Sequence, residues 1–346
     1  MSVWLPYSES LRFIWSSFQE KYAPLRESKG TVNEKDFSWK VRVYEPILSK
    51  PLGLIAVVNG FSVKGDEDER IHNICRAAAS AGFRVVQPSI QELNELRINS
   101  DSVEEFALCL KAIAEDPKLG IDGRVALFAP SFTAGLGLNA CAHPKAQKLV
   151  SSICAVGTFA RINSSVEFLL KEEEIDDYGR LILMKNFIEL VIGPNPEIIN
   201  ALQVDIEDNG FKRKNLEFPD TFEKLSPENK SLYLKMKNDA DFRFEIYNEI
   251  SKHEVCQDIY SKMDVMEKAG ELKAPITLIH GAADDVIPPS ESEELHNEII
   301  KSGGISELLL TPLLSHGDIQ VNFGIINNSI KLAQAFQFFF KHARSL

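Results

Sequence analysis

Apolar and polar positions recur with two different periods along the first half of the chain, and the switches between them predict alternating strands and helices. Residues 38–44 alternate, Trp39, Val41 and Val43 against Lys40, Arg42 and Tyr44, as an early antiparallel edge strand does. Residues 52–58 are nearly continuous in apolar side chains, the pattern of a central strand buried on both faces. Ile71, Ile74, Cys75 and Ala78 follow at helical spacing, with Gly82 placed to stop that helix, and 83–87 make the next strand. Val103, Phe106, Leu110 and Ile113 form a second helical stripe, opened by Asp101-Ser102-Val103-Glu104 as a capping box. Residues 125–129 then predict a buried strand, 132–142 a helix and 149–156 another strand.

The alternation stops at residue 158, and 158–272 is helical in tendency and rich in charge, with an apolar stretch over 181–192. Strand patterns resume at 275–280 and 307–311, Ser290 with Glu293 makes a capping box between them, and 330–342 predicts a terminal helix. Leu11, Ile14 and Phe18 mark an amphipathic helix near the start, expected to pack on the core. The organisation read from this is an N-terminal helical extension over 1–35, an α/β core from 36–157 and 273–346, and a helical insertion over 158–272. Alternating strands and helices build a mostly parallel sheet flanked by helices.

Composition narrows the partners. At 346 residues the chain is about two average domains long, or one core with a large insertion, and 44% hydrophobic residues supply such a core. A net charge of −12 without a basic cluster argues against nucleic acid, whose phosphates need grouped Lys and Arg. The five cysteines are odd in number, dispersed and set among apolar neighbours, as in a reduced cytoplasmic protein. CxxC, HExxH and His/Cys clusters are missing, so no metal site is expected. Met1-Ser2-Val3-Trp4-Leu5-Pro6 is not a basic segment leading into an apolar one, and no membrane span is expected.

Three residues stand where chemistry is expected. Ser131 follows the strand over 125–129 and opens into the small residues Ala134 and Gly135, which predicts a strand, a sharp turn and a helix with the serine hydroxyl held out at the turn. An alternative register puts Thr133 at that turn, but it would carry the central strand through Pro130, which a sheet resists. Asp284 lies just after a strand in His280-Gly281-Ala282-Ala283-Asp284-Asp285-Val286-Ile287-Pro288. His316 lies 32 residues further on, between the last strand and the terminal helix, and an imidazole titrating near neutrality suits a general base. Gly135-Leu136-Gly137-Leu138-Asn139-Ala140 matches a dinucleotide fingerprint by letters but falls inside a predicted helix, so no nucleotide cofactor is expected.

The order serine, acid, histidine, each after a strand, resembles an α/β-hydrolase-fold protein with a helical cap, and the likeness runs from about residue 36 to the C-terminus. Asp284 stands 153 residues after Ser131, where a helix, strand, helix and strand need only about 60, so the excess corresponds to the cap. The resemblance implies Ser131 as nucleophile, His316 as base, Asp284 orienting His316, and backbone N–H groups of Phe61 and Phe132 as the oxyanion hole. It implies a small-molecule acyl ester or thioester substrate, cleaved through an acyl-enzyme without cofactor. Ser62 is a further candidate donor beside Phe61, and His280 a candidate for lining the site. Ala129 and Thr133 depart from the family's usual glycines, and Asn59 before Gly60 departs from its usual histidine. Two alternatives stay open: acyltransfer through the same triad, and a non-catalytic member that binds a ligand or protein. Oligomeric state is left open by the sequence.

Overall fold

Strand residues in this chain divide by the pleat. Leu54, Ala56, Leu127 and Ala129 join one hydrophobic cluster, whereas Ile55, Val57, Ala126 and Phe128 join another on the opposite face. The computed structural model describes residues 8–172, 175, 177–315, 318–319 and 325–345. Within them the strands of the main sheet are β1 (Leu25–Glu34), β2 (Phe37–Pro46), β3 (Leu54–Val57), β4 (Arg84–Pro88), β5 (Val125–Pro130), β6 (Val150–Val156), β7 (Ile276–Gly281) and β8 (Ser306–Thr311), and Leu314–Ser315 pairs separately with Asp318–Ile319. They form one eight-stranded sheet in the order β1-β2-β4-β3-β5-β6-β7-β8. β1 with β2 and β2 with β4 are antiparallel, and every later pairing is parallel.

Helices cover both faces. Ser8–Gln19, Glu69–Ser80 and Ile325–Ala343 lie on one side, where Phe13 meets Phe336 and Phe340 edge-on at 4.8 and 5.3 Å. Ser102–Glu115 and Phe132–Ala142 lie on the other. Between β6 and β7 the described residues form eight further helices, Ile162–Lys171, Asp177–Phe187, Glu189–Ile192, Pro196–Phe211, Phe218–Glu223, Pro227–Asn238, Ala240–Ile250 and Glu254–Met263. Their buried side chains, Leu181, Ile206 and Met236 among them, continue the cluster of the second face without a break.

Four expectations need correction. Residues 25–34 are a strand, not part of a helical extension, and β2 is therefore interior with β1 at the edge. β1 was illegible because an edge strand wet on both sides needs no apolar alternation; Val32 is its one buried residue, and its Arg26 and Lys29 suit an edge. The N-terminal helix packs through Phe13 and Ser16, with Ile14 partly buried against the core as expected and Glu9 buried against Arg344, while Leu11, Trp15 and Phe18 face outward. Neither capping box forms: Asp101 makes no side-chain cap bond and Glu104 pairs with Lys145 instead, and the helix Pro289–Lys301 begins before Ser290 could cap it. Gly82, with φ of +106°, does end its helix as expected.

Candidate active site

β5 delivers Ser131 into a turn with φ 57° and ψ −140°, a region that side-chain-bearing residues avoid, and the helix Phe132–Ala142 starts at the next residue. The turn is held from both sides. The Ser131 N–H donates to Val156 O at 2.7 Å, and the Ala134 N–H donates to Ser131 O at 2.9 Å. Close approach of strand and helix is provided one turn later than the family pattern has it. A Cβ on Gly137 would lie 2.7 Å from Leu127, and one on Gly135 would lie 2.4 Å from the Phe159 ring. Thr133 is wholly buried and fits because its hydroxyl has a partner, Oγ1 donating to Asn59 O at 2.8 Å.

Asp284 follows β7 on a tight loop. Its Oδ1 accepts the N–H groups of Val286 and Ile287, both at 3.0 Å, and its Oδ2 lies 3.6 Å from His280 Nε2. His280 is buried and committed to structure rather than lining the site: Nε2–H donates to Ile287 O at 2.9 Å, which leaves Nδ1 to accept from Ser292 Oγ at 2.6 Å. The end of β6 lies between Ser131 and Asp284. Val156 holds the Ser131 amide, and a Cβ on its neighbour Gly157 would sit 3.5 Å from Asp284 Oδ2. His316 lies outside the described residues. The segment just before it, Leu314–Ser315, crosses Gly281 so closely that a Cβ there would be 2.5 Å from Leu314 O and 3.7 Å from Asp284 Cβ.

The loop after β3 brings Phe61 to the same place. A Cβ on Gly60 would lie 3.6 Å from Ser131 Cβ, and the rings of Phe61 and Phe132 stack at 4.4 Å. Neither the Phe61 nor the Phe132 N–H has an acceptor among the described residues. Ser62 does not add a hydroxyl to them, since its Oγ donates to buried Asp68 at 2.7 Å. Burial pushes the Asp68 carboxyl upward, but hydrogen bonds from Arg70 and Ser62 outweigh this and hold it down at about 2.

The helices between β6 and β7 reach the loops that follow β3, β4 and β7. The Val63 N–H donates to Tyr178 Oη at 3.1 Å, a Cβ on Gly179 would lie 3.3 Å from Val286, and Asn186 bonds both Ile98 N and Leu96 O. Glu291, which sequence reasoning passed over, anchors the start of this region by accepting from Ala160 N, Arg161 N and Ser164 Oγ at 2.8, 2.9 and 2.6 Å. An isolated glutamate on a predicted helix gives no hint of that role. All five cysteines are free and buried. Among the described residues no cluster of three or more His, Cys, Asp or Glu side chains is disposed to hold a metal, and no helix is long and apolar enough to cross a membrane.

No family model matches the chain, and no curated protein matches it in sequence. Solved structures do match in three dimensions. An acylaminoacyl peptidase from Pyrococcus horikoshii superposes with a TM-score of 0.55 at 14% identity, over 95% of this chain and 43% of its own. An esterase from Pyrobaculum calidifontis gives 0.54 at 15% identity, over 97% and 91%. A putative dienelactone hydrolase from Klebsiella pneumoniae gives 0.51 at 12%, over 92% and 99%. The chain thus spans less than half the length of the peptidase it matches, and at these identities the likeness is one of fold.

Proposed function

Given that the chain has the α/β-hydrolase fold, we propose that it is a serine hydrolase acting on a small carboxylic ester or thioester. The observation that carries this reading is the Ser131 backbone, whose φ of 57° and ψ of −140° put strain into a side-chain-bearing residue at the strand-to-helix turn. Strain of this kind persists where the surrounding structure over-determines it, and here it lifts one hydroxyl out of the end of the sheet. His316 takes the Ser131 proton as Oγ bonds to the substrate carbonyl carbon, and the Phe61 and Phe132 N–H groups receive the oxyanion. His316 then returns the proton to the departing alkoxide or thiolate. Water, deprotonated by His316, then bonds to the acyl carbon, and His316 returns that proton to Ser131 Oγ as the ester bond breaks and the acid leaves. Asp284 orients His316 and stabilises its cation. The stacked Phe61 and Phe132 rings give the turn apolar surroundings, which favours an acyl substrate over a strongly charged one. The helical region over 158–272, bonded through Tyr178 to the loop that carries Phe61 and through Asn186 to residues 96 and 98, is the proposed cap.

The test is labelling by a fluorophosphonate probe with parallel turnover of nitrophenyl esters and acyl thioesters. Labelling that disappears in Ser131→Ala, together with ester or thioester turnover, is the expected result. Labelling that persists in Ser131→Ala would sink the assignment. Turnover that appears only when an alcohol or amine acceptor is added identifies an acyltransferase, and no labelling or turnover at any chain length would favour a non-catalytic binding protein.

A further inference from the structure

Two of the three departures from the usual sequence around the serine turn, Asn59 and Thr133, are bonded to each other. Thr133 Oγ1 donates to Asn59 O at 2.8 Å, and both residues are buried. Asn59 folds its side chain forward: Nδ2 donates to Gly60 O at 3.1 Å and to Asn94 Oδ1 at 3.4 Å, while Oδ1 meets no donor among the described residues. A buried acceptor without a donor costs stability, so the amide is a poor way merely to fill space, and its Nδ2 bonds are what it gains.

The Gly60 carbonyl and the Phe61 N–H belong to one planar trans peptide unit and point in opposite directions. Holding the carbonyl against Asn59 Nδ2 therefore aims the Phe61 N–H the other way. That unit lies against the serine turn, since a Cβ on Gly60 would be 3.5 Å from Pro130 O and 3.6 Å from Ser131 Cβ. The second donor, Phe132 N–H, is on the residue just before Thr133. One hydroxyl thus ties the rigid turn carrying the Phe132 N–H to the loop carrying the Phe61 N–H.

We infer that Asn59 and Thr133 act jointly as positioning residues that set the direction and spacing of the two oxyanion donors. The inference rests on the acyl-transfer reading above. Misaimed donors weaken transition-state stabilisation more than substrate binding, so the signature is in kcat rather than KM.

The experiment compares the full chain with Thr133→Val, Thr133→Ser, Asn59→Leu and the Val/Leu double variant, by nitrophenyl ester kinetics and by the rate of fluorophosphonate labelling. Valine and leucine keep the shapes and remove the donors. Thr133→Val and Asn59→Leu are each expected to lower kcat about 10- to 100-fold with KM changed less than about threefold. Thr133→Ser is expected to restore kcat to within about threefold of the native chain. The double variant is expected to lose far less than the product of the two single losses, because both bonds hold the same short stretch of chain, the consecutive peptide units Asn59–Gly60 and Gly60–Phe61. Native kcat in Thr133→Val, a Thr133→Ser variant as slow as Thr133→Val, or single losses that multiply in the double variant would overturn the inference. If Thr133→Val does not fold, Thr133→Ala takes its place under the same criteria. A native chain that neither labels at Ser131 nor turns over removes the acyl-transfer reading and this inference with it; a native chain that labels, with Thr133→Val unchanged, removes this inference alone.

Discussion

The backbone N–H of Ser131 donates to the carbonyl oxygen of Val156 at 2.7 Å, so the serine turn at the end of β5 is fastened to the end of β6. The next residue, Gly157, has φ of +64°, and its Cα faces the Asp284 carboxylate on the far side. One strand end therefore spaces the serine from the acid. Gly157→Ala is expected to destabilise the fold by about 1–2 kcal/mol through the left-handed backbone. Its methyl group would only reach ordinary van der Waals contact with Asp284 Oδ2 at 3.5 Å, but the backbone shift that relieves the left-handed strain would move the strand end between Ser131 and Asp284, and the rate of fluorophosphonate labelling is expected to fall with it. Labelling at the native rate in a destabilised Gly157→Ala variant would show that the two ends do not depend on this spacing.

Relief of strain at Ser131 gives a second expectation. Glycine tolerates the region near φ 57°, ψ −140°, where serine is strained by about 1–3 kcal/mol. Glycine also adds disorder to the unfolded chain, costing about 0.5–1 kcal/mol. Ser131→Gly is expected to abolish labelling while raising the denaturant midpoint by a net gain of about 1 kcal/mol. A lowered midpoint would mean that the turn is not strained.

Asp284 accepts two backbone N–H groups through Oδ1, and the carbonyl oxygen of asparagine can keep both. Asp284→Asn is thus expected to fold normally and to lose about 10⁴-fold in turnover, because the imidazole it should orient is left in the wrong tautomer. A variant with near-native turnover would transfer the role of the acid elsewhere.

The Asp68 carboxyl, held at about 2 against an ordinary 3.8, titrates lower in the folded than in the unfolded chain. A carboxyl depressed in this way contributes its full stability above the unfolded value and loses it as pH falls through the folded one. Asp68→Asn keeps the helix cap to Arg70 N but gives up the charge, so it is expected to cost about 2 kcal/mol at pH 7. The gap should narrow progressively from about pH 4 toward about pH 2, as urea unfolding at a series of pH values would measure. A gap of constant size across that range would contradict the assignment.

Gly135 faces the buried Phe159 ring so closely that a Cβ would lie 2.4 Å from it. Gly135→Ala is expected to cost about 1–3 kcal/mol by overpacking, despite alanine's better helix propensity. An unchanged thermal midpoint would show that the ring has room to move.

The sequence by itself determined the alternation of buried strands and covering helices, the interruption over 158–272, and the placing of Ser131 and Asp284 at strand ends, because burial on both faces leaves a local mark in the order of residues. It did not mark β1, whose exposed faces need no pattern, nor the buried face of the first helix, which Phe13 decides against the more conspicuous Leu11 and Phe18. Thr133 and Asn59 looked like faults at the turn when each was read with its sequence neighbours. They are 74 positions apart, and only the adjacency of β3 and β5 makes them hydrogen-bond partners. Glu291 and Ala160, 131 positions apart, are joined in the same way. Local pattern fixes what each segment can bury; which distant donors meet which acceptors is decided only when the sheet assembles.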